Sequence, residues 1–223
     1  MAHLGSDYLT RLTIDDYVKL AFDVATGGMF PGAHSPHARA DAATVRQMKA
    51  GGQLPLESIS RARLVPVAAG KIFVRWCSSD AKDFQAAAGG KWWSTDNIAD
   101  GIVQLTRQRL GPDGDSGRIV RAVSAVCYEW SDLQQVVVVR TKVPINVLIG
   151  FGRPVPSKDP ATGALVTLGD GKDLQCVIPT YWDNQFRGHD IFELLAMRSS
   201  SAFTRWWNEQ ALVKQRRTAR AHR

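Results

Sequence analysis

Residues 173–179 read Asp-Leu-Gln-Cys-Val-Ile-Pro, and this short stretch decides most of what the sequence predicts about the fold. Its Leu, Cys, Val and Ile residues, followed by a proline, are typical of a short strand buried in a sheet. Asp173 and Gln175 are two positions apart, so their side chains lie on the same face of an extended chain. An acid and an amide side by side in an otherwise apolar strand are candidates for a functional site.

The composition is that of one folded domain with room for a helical appendage. The chain has 223 residues, 44% apolar and 22% charged, so it can bury a sizeable core and is neither disordered nor fibrous. No apolar run is long enough to span a membrane, and the first residues contain no apolar signal-peptide core. The three cysteines are widely spaced, which favours a reducing compartment. We therefore expect a cytoplasmic protein, or one delivered into a target cell.

Positive charge is concentrated at the C-terminus. The net charge is +7, and the segment from Arg205 to Arg223 contains six Lys or Arg residues against one acid, Glu209. This segment is either a solvated tail or a contact site for nucleic acid, an anionic lipid surface or an acidic partner. Phe203, Trp206 and Trp207 fall on one helical stripe, so we expect that stripe to dock on the domain and the cations to face outward.

Local patterns predict an α+β fold with mixed or antiparallel strands, because strands and helices do not alternate regularly. Three regions are expected: a helical segment (1–60) packed on the core, an α+β core (61–198), and an amphipathic basic helix with a tail (199–223). Helices are predicted at 13–26, 41–50, 80–88, 96–110, 191–197 and 201–215, with Asp80 and Asp96 as two of the N-caps. Strands are predicted at 62–70, 71–79, 123–130, 134–143, 145–152 and 173–179, with a hairpin or loop at 153–172.

Three motifs follow one another along the predicted core. They are a strand arginine, a hydroxyl pair at the start of a later strand, and a polar pair shortly before a proline: Arg75 in FVRWCS, Ser94-Thr95 in WWSTD, and Asp173-x-Gln175 before Pro179. In this order and spacing the chain resembles the mono-ADP-ribosyltransferase family, in its arginine–serine–glutamate branch, over roughly residues 64–180.

The resemblance implies a split-sheet α+β fold that takes NAD as its substrate and cleaves the bond between nicotinamide and ribose, as in a bacterial toxin or an injected effector. It implies that Arg75 contacts the phosphates and ribose of NAD, and that Ser94 and Thr95 supply the hydroxyl motif. Trp93 would wall the nicotinamide pocket by stacking. The residues near a macromolecular acceptor, either protein or nucleic acid, would be Tyr181, Trp182 and Arg187.

The chain departs from the family pattern at Gln175, which stands where the catalytic glutamate is expected, with Asp173 in place of its upstream partner. A carboxylate there would stabilise positive charge on the anomeric carbon, whereas an amide keeps only a hydrogen bond. The lost attraction is about 4 kcal/mol at an effective dielectric of about 20, or roughly a thousandfold in rate. The chain is then a weak or inactive relative or an engineered variant. Alternatively, Glu193 on the next predicted helix supplies the carboxylate.

Structural roles and a non-enzymatic function are the alternatives. A strand arginine such as Arg75 is also common as a surface ion-pair partner, residues 94–96 also fit a helix N-cap, and the polar pair at 173 and 175 also fits the exposed face of an edge strand. His34-x-x-His37 has no accompanying ligand residues, so no metal site is predicted. The alternative function is a binding protein whose basic C-terminal helix contacts nucleic acid, and an enzyme of another class stays open.

Overall fold

The computed structural model describes residues 59–90, 92–124, 126–128, 131–152, 154–169, 174–178 and 191–221. The strands are β1 (Ile59–Val67), β2 (Ile72–Cys77), β3 (Trp92–Thr95), β4 (Gln135–Thr141), β5 (Ile145–Gly152), β6 (Val155–Lys158), β7 (Leu165–Leu168), β8 (Leu174–Val177) and β9 (Phe192–Ser199). The helices are α1 (Phe84–Ala88), α2 (Asp96–Leu110), α3 (Ser116–Val123) and α4 (Ser200–Ala221).

Seven of these strands form one sheet in the order β1-β5-β8-β3-β2-β4-β9. All strand pairs among the described residues are antiparallel, and β6 and β7 form a separate hairpin. β3 is the junction of the sheet, because Trp92 and Trp93 pair with β8 whereas Ser94 and Thr95 pair with β2. One half therefore consists of β1, β5 and β8, and the other of β2, β4 and β9. The predicted α+β class with an antiparallel sheet is confirmed.

Strand β2 is buried on both of its faces. Phe73 and Cys77 belong to a core cluster that includes residues of α1 and β8, whereas Val74 and Trp76 belong to a second cluster with α2, α3 and α4. This division follows from the alternation of side chains along a strand. Fully burying one such large side chain contributes about 1.5–3 kcal/mol. The apolar positions of β2 are therefore core positions, and only Arg75 interrupts them with a charge.

The beginning of α4 packs on the domain. Phe203 and Thr204 are both 0% exposed. The Phe203 ring meets Trp76 edge-on with centroids 5.4 Å apart and lies 5.2 Å from Trp207. The Thr204 hydroxyl donates a hydrogen bond to the Gly114 carbonyl over 2.9 Å. These contacts fix the direction in which the rest of the helix leaves the core.

Two predicted elements are wrong. The strand predicted at 123–130 is not formed: Val123 ends α3, and the described residues that follow it are in turns or coil. The helix predicted at 191–197 is instead β9, which pairs with β4 along most of its length. In both segments tertiary contacts override the local pattern. In the first segment the Val126 carbonyl accepts from the Arg121 side chain instead of from a neighbouring strand, and in the second β9 takes up the backbone hydrogen-bonding groups along one side of β4.

Two helix starts also differ from the predictions. The N-cap of α1 is Asp83, whose carboxylate accepts from the Ala86 N–H over 2.8 Å, and not Asp80. The N-cap of α2 is Thr95, and Asp96 is the first helical residue, where a negative charge interacts favourably with the helix dipole. The short helix α3, capped by Asp115, was not predicted.

The helices predicted at 13–26 and 41–50 lie outside the described residues, as does the N-terminal region up to residue 58. Cys77, Cys127 and Cys176 are all buried, and no disulfide joins them. Among the helices that the structure describes, none combines the length and the apolar character that a membrane crossing requires.

Candidate functional site

Arg75 is a partly buried cation on β2. Its Nη1 donates a hydrogen bond to the Ala87 carbonyl at the end of α1. Burial lowers the pKa of the Arg75 guanidinium from its ordinary value, and the nearby Cys77 and Asp80 offset this only in part. Within the described residues, no carboxylate forms an ion pair with Arg75, so the surface ion-pair role is not realised there. A guanidinium has several N–H donors, and in the part of the chain that the structure describes Arg75 uses one of them, so this side chain is suited to an anionic ligand.

The hydroxyl motif lies where β3 passes into α2. Ser94 is 8% exposed. Thr95 occupies the N-cap position, but its side chain makes no capping hydrogen bond. The Asp96 carboxylate accepts from the Asn97 N–H over 3.0 Å instead. Thr95 therefore occupies the N-cap position that the alternative interpretation predicted, but its hydroxyl does not form a capping hydrogen bond with the first turn of α2.

Gln175 lies on β8, between β5 and β3, and is only 9% exposed. Its Nε2 donates a hydrogen bond to the main-chain carbonyl of Ser124, the C-cap of α3, over 2.5 Å. A Cβ at Gly152 on β5 would lie 2.5 Å from that Nε2, so the amide passes directly over this glycine. The edge-strand alternative is wrong for Gln175, whose amide links β8 to the end of α3.

The strand pairing groups three predicted site residues on one face of the sheet. Arg75 and Phe73 are two apart on β2, Thr95 pairs with Phe73, and Trp93 is two residues from Thr95 on β3. Arg75, Trp93 and Thr95 therefore share a face. Trp93 is only 2% exposed, and its ring lies 4.8 Å from that of Phe192. Trp93 is thus a core residue behind Arg75.

Gln175 lies on the other face. Trp93 pairs with Cys176 on β8, so Gln175, one residue earlier, faces the same side as Ser94 and the opposite side from Arg75. The strands β2 and β8 flank β3 and are about 10 Å apart. The structure therefore brings the three motif strands together in the order β8-β3-β2, but it does not direct all their side chains into one cleft.

Glu193 does not supply a carboxylate beside Gln175. It lies on β9 at the edge of the sheet, where it forms an exposed ion pair with Arg140 of β4 over 3.2 Å. Three strands separate β9 from β8, so this alternative is wrong. The remaining predicted site residues lie outside the described residues: Asp173, Tyr181, Trp182 and Arg187.

Arg121, on α3, is a buried arginine that the sequence analysis missed. It is 8% exposed and donates to the carbonyls of Val126, over 3.0 Å, and Ser131, over 2.5 Å. Its guanidinium also lies 4.2 Å from the centre of the Tyr128 ring. These contacts hold the loop after α3 in place. No sequence pattern marks them, because the acceptors are main-chain carbonyls.

An open cleft of about 740 Å³ lies between this loop and the β6–β7 hairpin. Its lining carries both signs of charge, including Asp132, Lys158 and Asp159. Burial alone would raise the pKa of the Asp132 carboxyl, but hydrogen bonds from the Ser79 hydroxyl and from the Gln134 and Ser79 N–H groups, the last over 2.9 Å, lower it below its ordinary value. The Asp159 carboxylate accepts from the Ala161 N–H over 2.8 Å. Both carboxylates therefore already accept hydrogen bonds from backbone N–H groups.

A second groove, of about 480 Å³, runs along the start of α4. Arg205 forms an exposed ion pair with Asp113 over 2.5 Å, which raises the pKa of the guanidinium and lowers that of the carboxyl. Arg198 lies 5.2 Å from the centre of the Trp206 ring. The first cation of the basic segment is thus already paired, and the others follow Glu209 in the sequence.

Comparisons with known proteins give little beyond this geometry. No protein-family model matches the chain. No curated protein matches it significantly. Among solved structures, it is similar to one described as Rhs1-CT in complex with cognate immunity protein RhsI1, with a TM-score of 0.37 and 12% identity over 63% of this chain and 81% of that one. A TM-score this low establishes neither fold nor function.

Proposed function

We propose that this protein binds NAD in the manner of the mono-ADP-ribosyltransferases and turns it over weakly or not at all. One observation carries the proposal: Arg75 is a partly buried guanidinium whose one hydrogen bond within the described residues goes to the Ala87 carbonyl, and it shares a face of the sheet with Thr95 on the neighbouring strand. A planar guanidinium matches phosphate oxygens in a bidentate geometry. A pyrophosphate with adjoining ribose hydroxyls is therefore the ligand class that suits this pair of strands.

Weak turnover follows from Gln175. Its amide is engaged with the Ser124 carbonyl and faces away from Arg75, so it offers no negative charge to a developing cation near that arginine. An absent carboxylate costs about 4 kcal/mol, which is roughly a thousandfold in rate. This supports the weak or inactive relative. An origin as a toxin or effector, and a macromolecular acceptor, belong to the same proposal through the family resemblance.

Isothermal titration with NAD tests the proposal. We expect wild-type protein to bind NAD measurably below millimolar concentrations, and Arg75→Ala to weaken binding about 10- to 100-fold, because hydrogen bonds to a charged group contribute about 1.5–3 kcal/mol. Arg63→Ala, an exposed arginine on β1, is the matched control and should bind as the wild type does. Absence of binding by the wild type, or equal affinity of the Arg75 variant, would contradict the proposal.

A second candidate function is nucleic-acid binding through α4. The helix continues to Ala221, and after Glu209 it contains no acid but four cations within seven residues: Lys214, Arg216, Arg217 and Arg220. A regular helix with this charge density suits a phosphate backbone, whose binding depends on neutralising neighbouring negative charges.

Salt dependence tests this second function. We expect wild-type affinity for a fluorescent DNA duplex to fall steeply between about 50 and 200 mM salt, because each cation that contacts a phosphate displaces a bound counterion. Replacing the four cations by glutamine should reduce the slope of log K against log salt by about 3–4. Arg205→Gln, at the cation already paired with Asp113, is the control and should change the slope little. If the fourfold variant binds with the wild-type slope, α4 is not the contact.

A further inference from the structure

Gly90 lies against the Arg75 side chain and leaves no room for a Cβ while the guanidinium stays in place. An ideal Cβ at Gly90 would be 2.0 Å from both Cζ and Nη2 of Arg75, and 2.3 Å from its Nε. Real Cβ atoms essentially never approach other atoms this closely. The guanidinium therefore occupies the space that a side chain at position 90 would fill.

The main chain on which the guanidinium rests is itself held in place. The Gly90 carbonyl accepts a hydrogen bond from the indole Nε1 of Trp93 over 2.8 Å. Trp93 is a core residue, so it ties Gly90 to the interior of the sheet. At the other side, the Ala87 carbonyl accepts from Arg75 Nη1. Arg75 is thus fixed between the end of α1 and Gly90.

We infer that Gly90 is a positioning residue for Arg75: its missing side chain lets the guanidinium lie in the orientation in which it meets an anionic ligand. The ligand in this inference rests on the proposed function, whereas the steric pairing of Gly90 with Arg75 does not. Gly90 has no positive φ, so alanine fits its backbone. The colliding atoms are the far end of a flexible side chain, and Gly90→Ala should displace the guanidinium without unfolding the protein.

NAD affinity is the first readout. We expect Gly90→Ala to weaken NAD binding at least about tenfold, as removal of Arg75 itself does. In an Arg75→Ala background, Gly90→Ala should cause no further loss, because the two changes remove the same interaction. Gly101→Ala is the matched control: Gly101 is exposed on α2, a Cβ there meets nothing within 4 Å, and binding should be unchanged.

The second readout does not depend on NAD. The ¹⁵Nε–¹Hε signal of Arg75, identified by its loss in Arg75→Lys, should shift and exchange faster with water in Gly90→Ala and stay unchanged in Gly101→Ala. If wild-type protein binds no NAD but the signal moves, the proposed function fails and the positioning role stands. An unmoved signal in folded Gly90→Ala would overturn the inference.

A stability measurement covers the case in which Gly90→Ala folds poorly. If the collision with Arg75 is the cause, the double variant with Arg75→Ala should unfold at the same urea concentration as Arg75→Ala alone. If Gly90→Ala destabilises both backgrounds equally, the glycine serves something other than Arg75 and the inference is wrong.

Discussion

Replacing Gln175 with glutamate is expected to destabilise the protein by about 2–4 kcal/mol at pH 8 rather than to create an active transferase. The Gln175 amide donates to the Ser124 carbonyl, and the side chain is almost fully buried. A carboxylate has no proton to donate, so it would place a buried negative charge against a carbonyl oxygen. The link between β8 and the end of α3 would then become a repulsion.

The effect should depend on pH in a defined direction. Burial and the facing carbonyl raise the pKa of a carboxyl group at position 175 above the value of about 4.3 that it has in an unfolded chain. The protonated acid can donate to Ser124, so the penalty is small near pH 4. It then grows as the pH rises towards the folded-state pKa, by up to about 1.4 kcal/mol per pH unit.

Urea unfolding of wild type and variant at pH 5 and pH 8 measures this difference. Gln104→Glu makes the same chemical change at an exposed position of α2 and should alter stability by less than about 0.5 kcal/mol at both values. A Gln175→Glu protein as stable as the wild type at pH 8 would show that the amide does not link β8 to α3.

Replacing Arg121 with methionine is expected to cost about 2–4 kcal/mol. The change keeps most of the apolar stem but removes the donors to the carbonyls of Val126 and Ser131, and it removes the contact with the Tyr128 ring. Arg121→Lys should recover only part of the loss, because an ammonium cannot span both carbonyls and stack on the ring as a planar guanidinium does.

Arg118→Met is the matched control for Arg121, since Arg118 is exposed on the same helix. It should change the free energy of unfolding by less than about 0.5 kcal/mol. Hydrogen exchange should also rise in the loop after α3 in Arg121→Met and not in Arg118→Met. Equal effects of the two substitutions would mean that the guanidinium of Arg121 does not hold the loop.

The strands that could be predicted from sequence are those whose own residues strongly favour the extended conformation. The runs at 134–143 and 145–152 are rich in Val and Ile, and they form β4 and β5 close to the expected bounds. The segment at 191–197 reads as a helix because Leu, Glu, Ala and Met favour one. It forms β9 because its backbone can hydrogen-bond to β4 along most of its length. The paired residues are more than fifty positions apart in the sequence.

The sequence predicted that the strands carrying the three motifs lie close together, but it did not predict which face of the sheet each side chain lies on. Sequence alternation correctly places side chains on one face or the other of a single strand, but the relative faces of Arg75 and Gln175 depend on how both strands pair with β3. The partner of Gln175 is a carbonyl 51 residues away. Any residue can supply a main-chain carbonyl, so the sequence does not reveal which carbonyls accept from Gln175 or Arg121. It does not reveal the close approach of Gly90 to Arg75 either, because that contact depends on the fold.

The proposed function is that NAD is bound and is turned over weakly or not at all. The most direct test incubates the wild-type protein with NAD, then measures bound dinucleotide by equilibrium dialysis and released nicotinamide by chromatography in the same samples. We predict that NAD is bound in an Arg75-dependent manner and that nicotinamide stays at the level of the protein-free blank or only slightly above it. Nicotinamide release at a sustained catalytic rate, or no retained NAD at millimolar concentration, would contradict the account.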